Sequence, residues 1–243
     1  MYKLASAGLV ILLVTGFVSV AQADSQAGYE QMRDQMLQKG ASDKKAEKFS
    51  AAEKKLMQDS MAQAKKDLPE PGLKVGDKAP DFTLEDAFGK KVSLASVLQK
   101  GPVILVFYRG AWCPFCNLHL HVLQKNIAEF AKYNATLIAV TPQLPDESAK
   151  QIKAKKYPFE VLSDLDDKVM KAYGLYYKVP DELIALYKRK GLDIEHYNGK
   201  GRVAIPIPGT YVIGKNGIIK AVHAQHDYKE RMEPSAIIEV LKQ

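Results

Sequence analysis

Both cysteines of this 243-residue chain lie in one short motif, Trp112-Cys113-Pro114-Phe115-Cys116, directly after an apolar run at 102–108. The run predicts a buried strand, and apolar residues at helical spacing from 118 to 130 predict an amphipathic helix that begins at the motif. A C-x-x-C placed by a strand at the start of a helix is typical of a thiol redox site. Backbone N–H groups and the helix dipole favour a thiolate there, so the motif predicts reactive sulfurs.

A structural zinc half-site is the alternative interpretation of this C-x-x-C. Tetrahedral zinc sites usually have four protein ligands, and the sequence contains no second C-x-x-C. We therefore expect no metal and no other cofactor at Cys113 and Cys116, and we expect Trp112 and Phe115 to form apolar walls around the sulfurs.

The first 23 residues predict a signal peptide. Met1-Tyr2-Lys3 gives a basic start, residues 4–20 are uncharged and largely apolar, and Ala21-Gln22-Ala23 supplies the small residues of a cleavage site. An uncleaved membrane anchor is the alternative, although small and polar residues dilute the run below the ~20 apolar residues of a spanning helix. We expect an exported protein, periplasmic in a bacterium, where a C-x-x-C is oxidised unless a partner reduces it.

The charge of the chain is only modestly basic. Its net charge is +7, and acidic residues are interspersed among the basic ones. Nucleic-acid binding requires a basic stripe with stacking aromatic residues or a groove-reading helix, and neither is present in the sequence. We expect no nucleic-acid partner and contact with a membrane only if the signal is uncleaved. The oligomeric state stays open.

Residues 24–70 predict a helical extension ahead of the main domain at 73–243. Its apolar positions fall into two stripes at helical spacing, which predict two helices that pack on the domain or on a second subunit. Ser42-Asp43 is the expected cap of the second helix, and Pro69-Glu70-Pro71-Gly72 breaks the chain before the domain. The stripes are Tyr29, Met32, Met36 and Leu37, and then Phe49, Ala52, Leu56, Met57 and Met61.

The sequence pattern of the main domain predicts an α/β fold, namely the thioredoxin fold, with a central mixed sheet flanked by helices. Short strands and helices alternate as far as about residue 179, and the region from 180 to 201 is less regular. A hairpin follows around Lys215-Asn216-Gly217, where Asn-Gly tolerates positive φ at both turn positions. The predicted strands are 82–84, 92–94, 102–108, 136–140, 159–162, 210–213 and 218–222, and the predicted helices are 116–132, 147–156, 169–173, 182–190 and 234–241.

Pro208 immediately precedes the first strand of that hairpin. Thioredoxin-like folds carry a cis-proline at this position, facing the C-x-x-C, where it holds backbone that can pair with an extended substrate. We therefore predict a cis bond at Pro208 beside the sulfurs. An ordinary trans proline at the start of a strand is the alternative.

These residues resemble the alkyl hydroperoxide reductase/thiol-specific antioxidant (peroxiredoxin) family, and most closely its peroxiredoxin-like branch with a C-x-x-C. The resemblance runs from about residue 73 to the end and is carried by four segments. They are Leu73-Lys74-Val75-Gly76-Asp77-Lys78-Ala79-Pro80-Asp81-Phe82-Thr83-Leu84, Phe107-Tyr108-Arg109-Gly110-Ala111-Trp112-Cys113-Pro114-Phe115-Cys116-Asn117, Leu162-Ser163-Asp164 and Gly209-Thr210-Tyr211-Val212-Ile213.

The family's active-site pattern, P-x-x-x-[TS]-x-x-C, only partly matches this chain. It aligns Arg109 with the proline, Cys113 with the hydroxyl residue and Cys116 with the peroxidatic cysteine. The family also has an arginine near the later strand, where this chain reads Pro208-Gly209-Thr210. Three of the four peroxide-activating positions therefore differ.

The resemblance implies a hydroperoxide reductase in which Cys116 attacks the peroxide and Cys113 resolves it. A thioredoxin-like donor would then reduce the disulfide, and Arg109 would compensate for the missing arginine. The alternative is a thioredoxin-like thiol:disulfide oxidoreductase, in which Cys113 attacks a protein disulfide, Cys116 resolves it and Pro208 positions the substrate. Trp112, Arg109, Pro208 and Thr210 are the expected supporting residues in the two mechanisms.

The histidines support a third interpretation. Cys113, Cys116 and one histidine could hold copper(I), which suits soft thiolate and imidazole ligands, and such a site resembles the copper-delivery proteins of cytochrome oxidase assembly. Those proteins use a wider C-x-x-x-C, so solvated surface histidines are the favoured interpretation. The candidates are His119, His121, His223 and His226.

Overall fold

The computed structural model describes residues 28–42 and 49–243. The predicted signal peptide at 1–23 lies outside these residues. No helix in the described ranges has both the length and the apolar character to cross a membrane.

A seven-stranded mixed sheet forms the centre of the fold and confirms the predicted α/β class. Its strands are β1 (Thr83–Asp86), β2 (Lys91–Ser93), β3 (Val103–Phe107), β4 (Thr136–Thr141), β5 (Glu160–Ser163), β8 (Gly209–Ile213) and β9 (Ile219–Ala224), whereas β6 (Tyr176–Lys178) and β7 (Ala204–Pro206) form a separate sheet. The strand order of the main sheet is β2-β1-β5-β4-β3-β8-β9. The strand β3 pairs in parallel with β4 and antiparallel with β8, and all five of its residues are buried.

Helices cover both faces of this sheet, and two apolar clusters fill the space between them and the strands. The single helix expected at 116–132 is two helices, because Asn126 ends the first one and its side chain donates to the carbonyl of Val122. The helices are α1 (Tyr29–Ser42), α2 (Ala51–Asp67), α3 (Leu94–Leu98), α4 (Pro114–Lys125), α5 (Ile127–Ala131), α6 (Pro145–Lys155), α7 (Lys168–Ala172), α8 (Asp181–Arg189), α9 (Ile194–Asn198) and α10 (Pro234–Leu241).

The stretch from 176 to 206 contains more regular structure than its sequence pattern predicts. β6 (Tyr176–Lys178) pairs with β7 (Ala204–Pro206) to form a small second sheet, and α8 and α9 lie between these strands in the chain. Strands of three residues are too short to show an alternating pattern, so this pairing between distant segments escapes sequence reasoning.

The turn between β8 and β9 differs from the predicted two-residue hairpin. Gly217 has a positive φ of 79°, whereas Asn216 is not among the described residues with positive φ. The turn instead spans Gly214–Ile218, closed by the Gly214 N–H bond to the carbonyl of Ile218 and by the Asn216 side chain accepting from the Ile218 N–H. A bulge at Val212/Ile213 accompanies this longer turn.

The cis bond predicted at Pro208 is wrong, because the described residues contain no cis peptide bond. The preceding segment is held extended, with Pro206 in β7 and the Ile207 N–H donating to the carbonyl of Leu175 at 2.7 Å. A trans proline continues that extended path into β8 without a tight turn.

Both N-terminal helices form, but the second is capped differently from the prediction. Ser50 caps α2 in a reciprocal capping box with Glu53, so the cap predicted at Ser42-Asp43 is wrong. Ser42 instead ends α1, and Asp43 lies outside the described residues. The apolar stripes pack against the main domain: Met36 joins the cluster beneath α4, and Leu56 and Met57 join the cluster around α8.

Candidate active site

The two cysteines lie where the sequence predicts, between the carboxyl end of β3 and the first turn of α4. Cys113 is the N-cap of α4, with an extended backbone and a sulfur that accepts from the Cys116 N–H at 3.4 Å. Pro114 follows in the first helical turn, where its missing N–H leaves no donor unsatisfied. This cap orients both sulfurs toward the positive end of the helix.

Gly110 allows the loop before Cys113 to fold tightly. Its φ is 144°, and a Cβ at this position would lie 2.6 Å from Nε1 of Trp112. Glycine is therefore required here for the indole of Trp112 to pack against the loop.

The two sulfurs are in direct contact and shielded from solvent. Sγ of Cys116 lies 2.6 Å from Sγ of Cys113, and both are free thiols that are only 1% exposed. A proton shared across this contact can stabilise a thiolate on one sulfur only, because the second negative charge would be buried beside the first.

Arg231, which the sequence reasoning did not identify, points at Cys116. Its Nη2 lies 3.4 Å from Sγ of Cys116, and its Nη1 donates to the carbonyls of Tyr228 and Glu230. These bonds hold the guanidinium of a buried side chain in place. The residue follows β9 in a loop without regular structure, so no periodic pattern distinguishes it from the other basic residues near the chain end.

Arg109 lies close enough to both cysteines for its charge to lower their pKa values. Its guanidinium carbon is 4.9 Å from the ring centre of Trp112 and 4.7 Å from that of Tyr228. The side chain is 8% exposed, and its Nε has no hydrogen-bond partner among the described residues. Trp112 therefore helps to hold a buried cation near the sulfurs.

These surroundings separate the pKa values of the two cysteines. Burial alone would raise the pKa of Cys116, but the hydrogen bond from Cys113, the charges of Arg231 and Arg109, and the backbone N–H of Arg109 together lower it to about 6. Burial, and then the neighbouring Cys116, raise the pKa of Cys113 well above its usual value. The lower pKa of Cys116 favours the thiolate on that sulfur over one on Cys113.

A buried network of amide side chains supports the loop that carries Cys113. The Ala111 N–H donates to Oε1 of Gln143 at 2.9 Å, and Nε2 of Gln143 donates to Oε1 of Gln151 at 3.1 Å. Gln151 also accepts from the hydroxyl of Tyr108 and donates to Asn117, whose amide donates to the carbonyl of Ala111. The network closes on itself around Ala111 and fixes the approach to Cys113.

Helix α1 is fastened to the loop that carries Arg231. The Tyr29 hydroxyl donates to the carbonyl of Lys229 at 2.6 Å, and the carboxylate of Glu233 accepts from the N–H groups of Tyr29 and Glu30 at 2.9 and 2.6 Å. Arg33 of α1 forms an ion pair with Glu230 at 2.8 Å. These contacts flank Arg231 on both sides, so the N-terminal extension helps to position the guanidinium at Cys116.

His119 is buried one turn after Cys116 and has a structural role. Its Nε2 donates to the carbonyl of Met232 at 3.1 Å, and its ring lies edge-on to Tyr29. Burial, and then the charge of Arg231, lower its pKa to about 3. Among residues 28–42 and 49–243, no three His, Cys, Asp or Glu side chains lie together as a metal site would require.

Pro208 and Thr210 are the remaining supporting residues that the sequence predicts. Thr210 is buried in β8, opposite Val106 and His223. Pro208 lines a cavity on whose wall Arg109 also lies. The guanidinium that directly contacts a sulfur is supplied by Arg231 rather than by the segment Pro208-Gly209-Thr210.

The model of the AhpC/TSA family matches residues 75–222, more than half of the chain and including both cysteines. The chain belongs to the AhpC/TSA family. The matched range contains all seven strands of the main sheet except the end of β9, and it excludes α1, α2 and Arg231. The contacts between α1 and the loop that carries Arg231 therefore lie outside the matched range.

Curated relatives of the chain include peroxiredoxins. Rv2521 of Mycobacterium tuberculosis, whose name gives it as an inferred peroxiredoxin, is 36% identical over 104 residues, which are 43% of this chain and 66% of that protein. The chloroplastic peroxiredoxin Q of Oryza sativa subsp. japonica is 32% identical over 171 residues, 69% of this chain and 64% of that protein. The chain thus spans just under two thirds of the length of these relatives.

Solved structures share the fold at low sequence identity. The peroxidoxin BcpB from Mycobacterium tuberculosis has a TM-score of 0.55 and 22% identity, covering 70% of this chain and 97% of that chain. The yeast mitochondrial 1-Cys peroxiredoxin has a TM-score of 0.53 and 17% identity, covering 70% of this chain and 75% of that chain. These similarities confirm the predicted thioredoxin fold.

Proposed function

We propose that this protein is a thiol-dependent peroxidase in which Cys116 attacks the hydroperoxide and Cys113 resolves the product. The observation that carries the proposal is that a guanidinium and a second thiol meet at one sulfur: Nη2 of Arg231 donates to Sγ of Cys116, and Sγ of Cys113 is in contact with it. The thiolate is the nucleophilic form of cysteine, and the contacts that favour it on Cys116 support attack by that residue.

The reaction proceeds in two steps. The Cys116 thiolate attacks the terminal oxygen of the hydroperoxide, the O–O bond breaks, and the alkoxide leaves and takes a proton from solvent, which gives an alcohol and a sulfenic acid on Cys116. The Cys113 sulfur then attacks the Cys116 sulfur, so an S–S bond forms as the S–O bond breaks. The departing hydroxide takes the Cys113 proton and leaves as water. The peroxide gains two electrons, and the dithiol becomes a disulfide.

The two arginines serve the first step. Guanidinium groups held by buried contacts stabilise the negative charge that develops on the peroxide oxygens without having to reorganise. Arg231 contacts the sulfur of Cys116, and Arg109, stacked on Trp112, supplies a second cation near it. Because the sulfurs already touch, the second step requires little movement of the chain.

The protein-disulfide alternative requires Cys113 to be the attacking thiolate. Burial, and then the neighbouring Cys116, raise the pKa of Cys113, whereas the pKa of Cys116 is lowered. The described residues also contain no cis-proline beside the sulfurs. The position of the lowered pKa therefore favours peroxide reduction by Cys116 over disulfide exchange by Cys113.

Regeneration requires an external dithiol that returns two electrons to the Cys113–Cys116 disulfide. We propose a thioredoxin-like donor for this step and an exported, periplasmic location in a bacterium, because residues 1–23 have the pattern of a signal peptide. A donor in that compartment must itself be kept reduced.

The test compares Cys113→Ser and Cys116→Ser with the wild type for consumption of hydrogen peroxide and an organic hydroperoxide. After one equivalent of peroxide, Cys113→Ser should accumulate a sulfenic acid on Cys116 that a dimedone probe traps, and Cys116→Ser should consume no peroxide. Insulin reduction, measured in parallel, tests the alternative. Peroxidase activity that survives the loss of Cys116 would overturn the assignment.

A further inference from the structure

A cavity of about 370 Å³ lies between the N-terminal helix α2, helix α8 and the segment that enters β8. This volume is within the range of small-molecule sites, at its lower end. Its walls are mainly apolar, and they include side chains from the extension as well as from the main domain. Prominent among them are Met57, Met61, Leu183, Tyr187, Ile205 and Pro208.

The charge around this cavity has one sign. Arg109, Lys54 and Lys229 line it, and none of the described lining residues is Asp or Glu. Lys54 is exposed, whereas Arg109 is more than nine-tenths buried. The cavity is thus an apolar space with cations at its inner wall and at its rim.

Arg109 has no carboxylate partner. Nε has no hydrogen-bond partner, and within the part of the chain that the structure describes no carboxylate forms an ion pair with this side chain. The rings of Trp112 and Tyr228 flank the guanidinium but do not neutralise it. The cysteine sulfurs act on its charge, but the hydrogen bond to Sγ of Cys116 comes from Arg231. The donors of Arg109 are therefore open to a carboxylate in the cavity, which would offset part of the cost of burying this cation.

We propose that this cavity binds a medium-chain aliphatic carboxylate. The carboxylate pairs with the Arg109 guanidinium, whose donors match a carboxylate in a bidentate arrangement. The alkyl chain lies among the thioether and aliphatic side chains, and the flexible Met57 and Met61 adapt to its shape. One guanidinium balances one negative charge, and the volume suits a single chain rather than a two-chain lipid.

Helix α2 has a function of its own in this binding, because it forms part of the cavity wall. The helix supplies Met57, Met61 and Ala64 to the wall, although it lies outside the family-matched range. Binding requires Arg109 and the apolar wall, and it does not depend on which cysteine attacks.

Trp112 is the chain's single tryptophan and stacks on Arg109, so it reports directly on ligand at this guanidinium. Purified protein is titrated with decanoate, decan-1-ol and butyrate, and binding is followed by Trp112 fluorescence and by calorimetry. We expect saturable binding of one decanoate per chain. Decan-1-ol should bind at least about ten-fold more weakly, because it lacks the charge-assisted hydrogen bonds. Butyrate should also bind more weakly because it leaves most of the apolar wall uncovered.

Two variants separate the head-group contact from the apolar wall. Ala64→Phe fills the cavity and should abolish decanoate binding, whereas Ala62→Phe, on the exposed side of the same helix, is the matched control and should retain it. Arg109→Gln should make decanoate and decan-1-ol bind equally. Equal binding of the two ligands to the wild type would overturn the proposal, as would decanoate binding that survives both Ala64→Phe and Arg109→Gln.

Discussion

Replacing Arg231 with glutamine should raise the pKa of Cys116 and slow peroxide reduction at neutral pH. Nη2 of Arg231 lies 3.4 Å from the sulfur. At an effective dielectric constant of about 20, two unit charges at that distance interact by 332/(20 × 3.4), about 5 kcal/mol. At about 1.4 kcal/mol per pKa unit this is an upper limit of roughly 3.6 units. The guanidinium charge is spread over several atoms, so we expect a rise of about 2 units.

The rise in the pKa of Cys116 determines the expected rate of peroxide reduction. With a pKa of about 6, ten in eleven molecules carry the thiolate at pH 7, since 10^(7−6) is 10. With a pKa of about 8, roughly one in eleven does, so the thiolate population falls about ten-fold. The second-order rate constant for peroxide should fall at least as much, because Arg231 also stabilises charge in the transition state. Raising the pH to about 9 should restore the part of the loss that comes from protonation.

The assay is iodoacetamide alkylation of Cys116 as a function of pH in a Cys113→Ser background, followed by peroxide kinetics in the intact dithiol. Arg189→Gln, an exposed arginine on α8, is the matched control and should leave the profile unchanged. Arg231→Lys retains the charge and should show a smaller shift than Arg231→Gln. An alkylation midpoint that stays near the wild-type value in folded Arg231→Gln protein would refute this account of the thiolate.

Three further changes test the support of the site. Glu233→Gln removes the carboxylate that caps α1, so it should cost about 1 kcal/mol of unfolding free energy and speed hydrogen exchange in α1. Gln143→Leu leaves the Ala111 N–H without an acceptor, so denaturant unfolding should show a loss of about 1–3 kcal/mol. His119 takes a proton at about pH 3 when folded but near pH 6.5 when unfolded, so stability should fall as pH drops between these values, by up to about 1.4 kcal/mol per unit. His119→Gln should flatten that fall.

For each of these three substitutions, one result would contradict the prediction. If hydrogen exchange of the α1 amides is as slow in Glu233→Gln as in the wild type, the Glu233 carboxylate does not hold α1 in place. An unchanged denaturation midpoint in Gln143→Leu would mean that water replaces the lost acceptor at Ala111. A His119→Gln protein that loses stability with acid as steeply as the wild type would show that another group controls the pH dependence.

The position of the cysteines could be predicted because local patterns encode it. An apolar strand, a C-x-x-C and an amphipathic helix follow one another within about 30 residues, and each signal agrees with the next. The peroxidatic role proposed for Cys116 also starts from a short motif. Arg109 could be placed nearby for the same reason, since it lies four residues from Cys113 in the chain.

The parts that sequence reasoning missed depend on contacts between distant segments. Arg231 lies 115 residues from the sulfur that it contacts, and the pairing of β6 with β7 joins segments separated by two helices. The cis bond predicted at Pro208 is wrong for the same reason. A pattern typical of thioredoxin-like folds was applied to a segment whose path is set by β7 and by the Ile207 bond to Leu175, contacts that the local sequence does not reveal.

The positive charge that contacts Cys116 comes from a different segment of the chain than the resemblance implies. The resemblance implies an arginine near the later strand, and this chain has Pro208-Gly209-Thr210 there instead. Arg231 supplies a guanidinium to Cys116 from the loop after β9, and the Cys113 sulfur contacts Cys116 where the family pattern has a hydroxyl. A loop is a less rigid support than a strand, and α1 fastens this loop on both sides of Arg231. These contacts give the N-terminal helix a physical role: it holds in place the loop that carries Arg231.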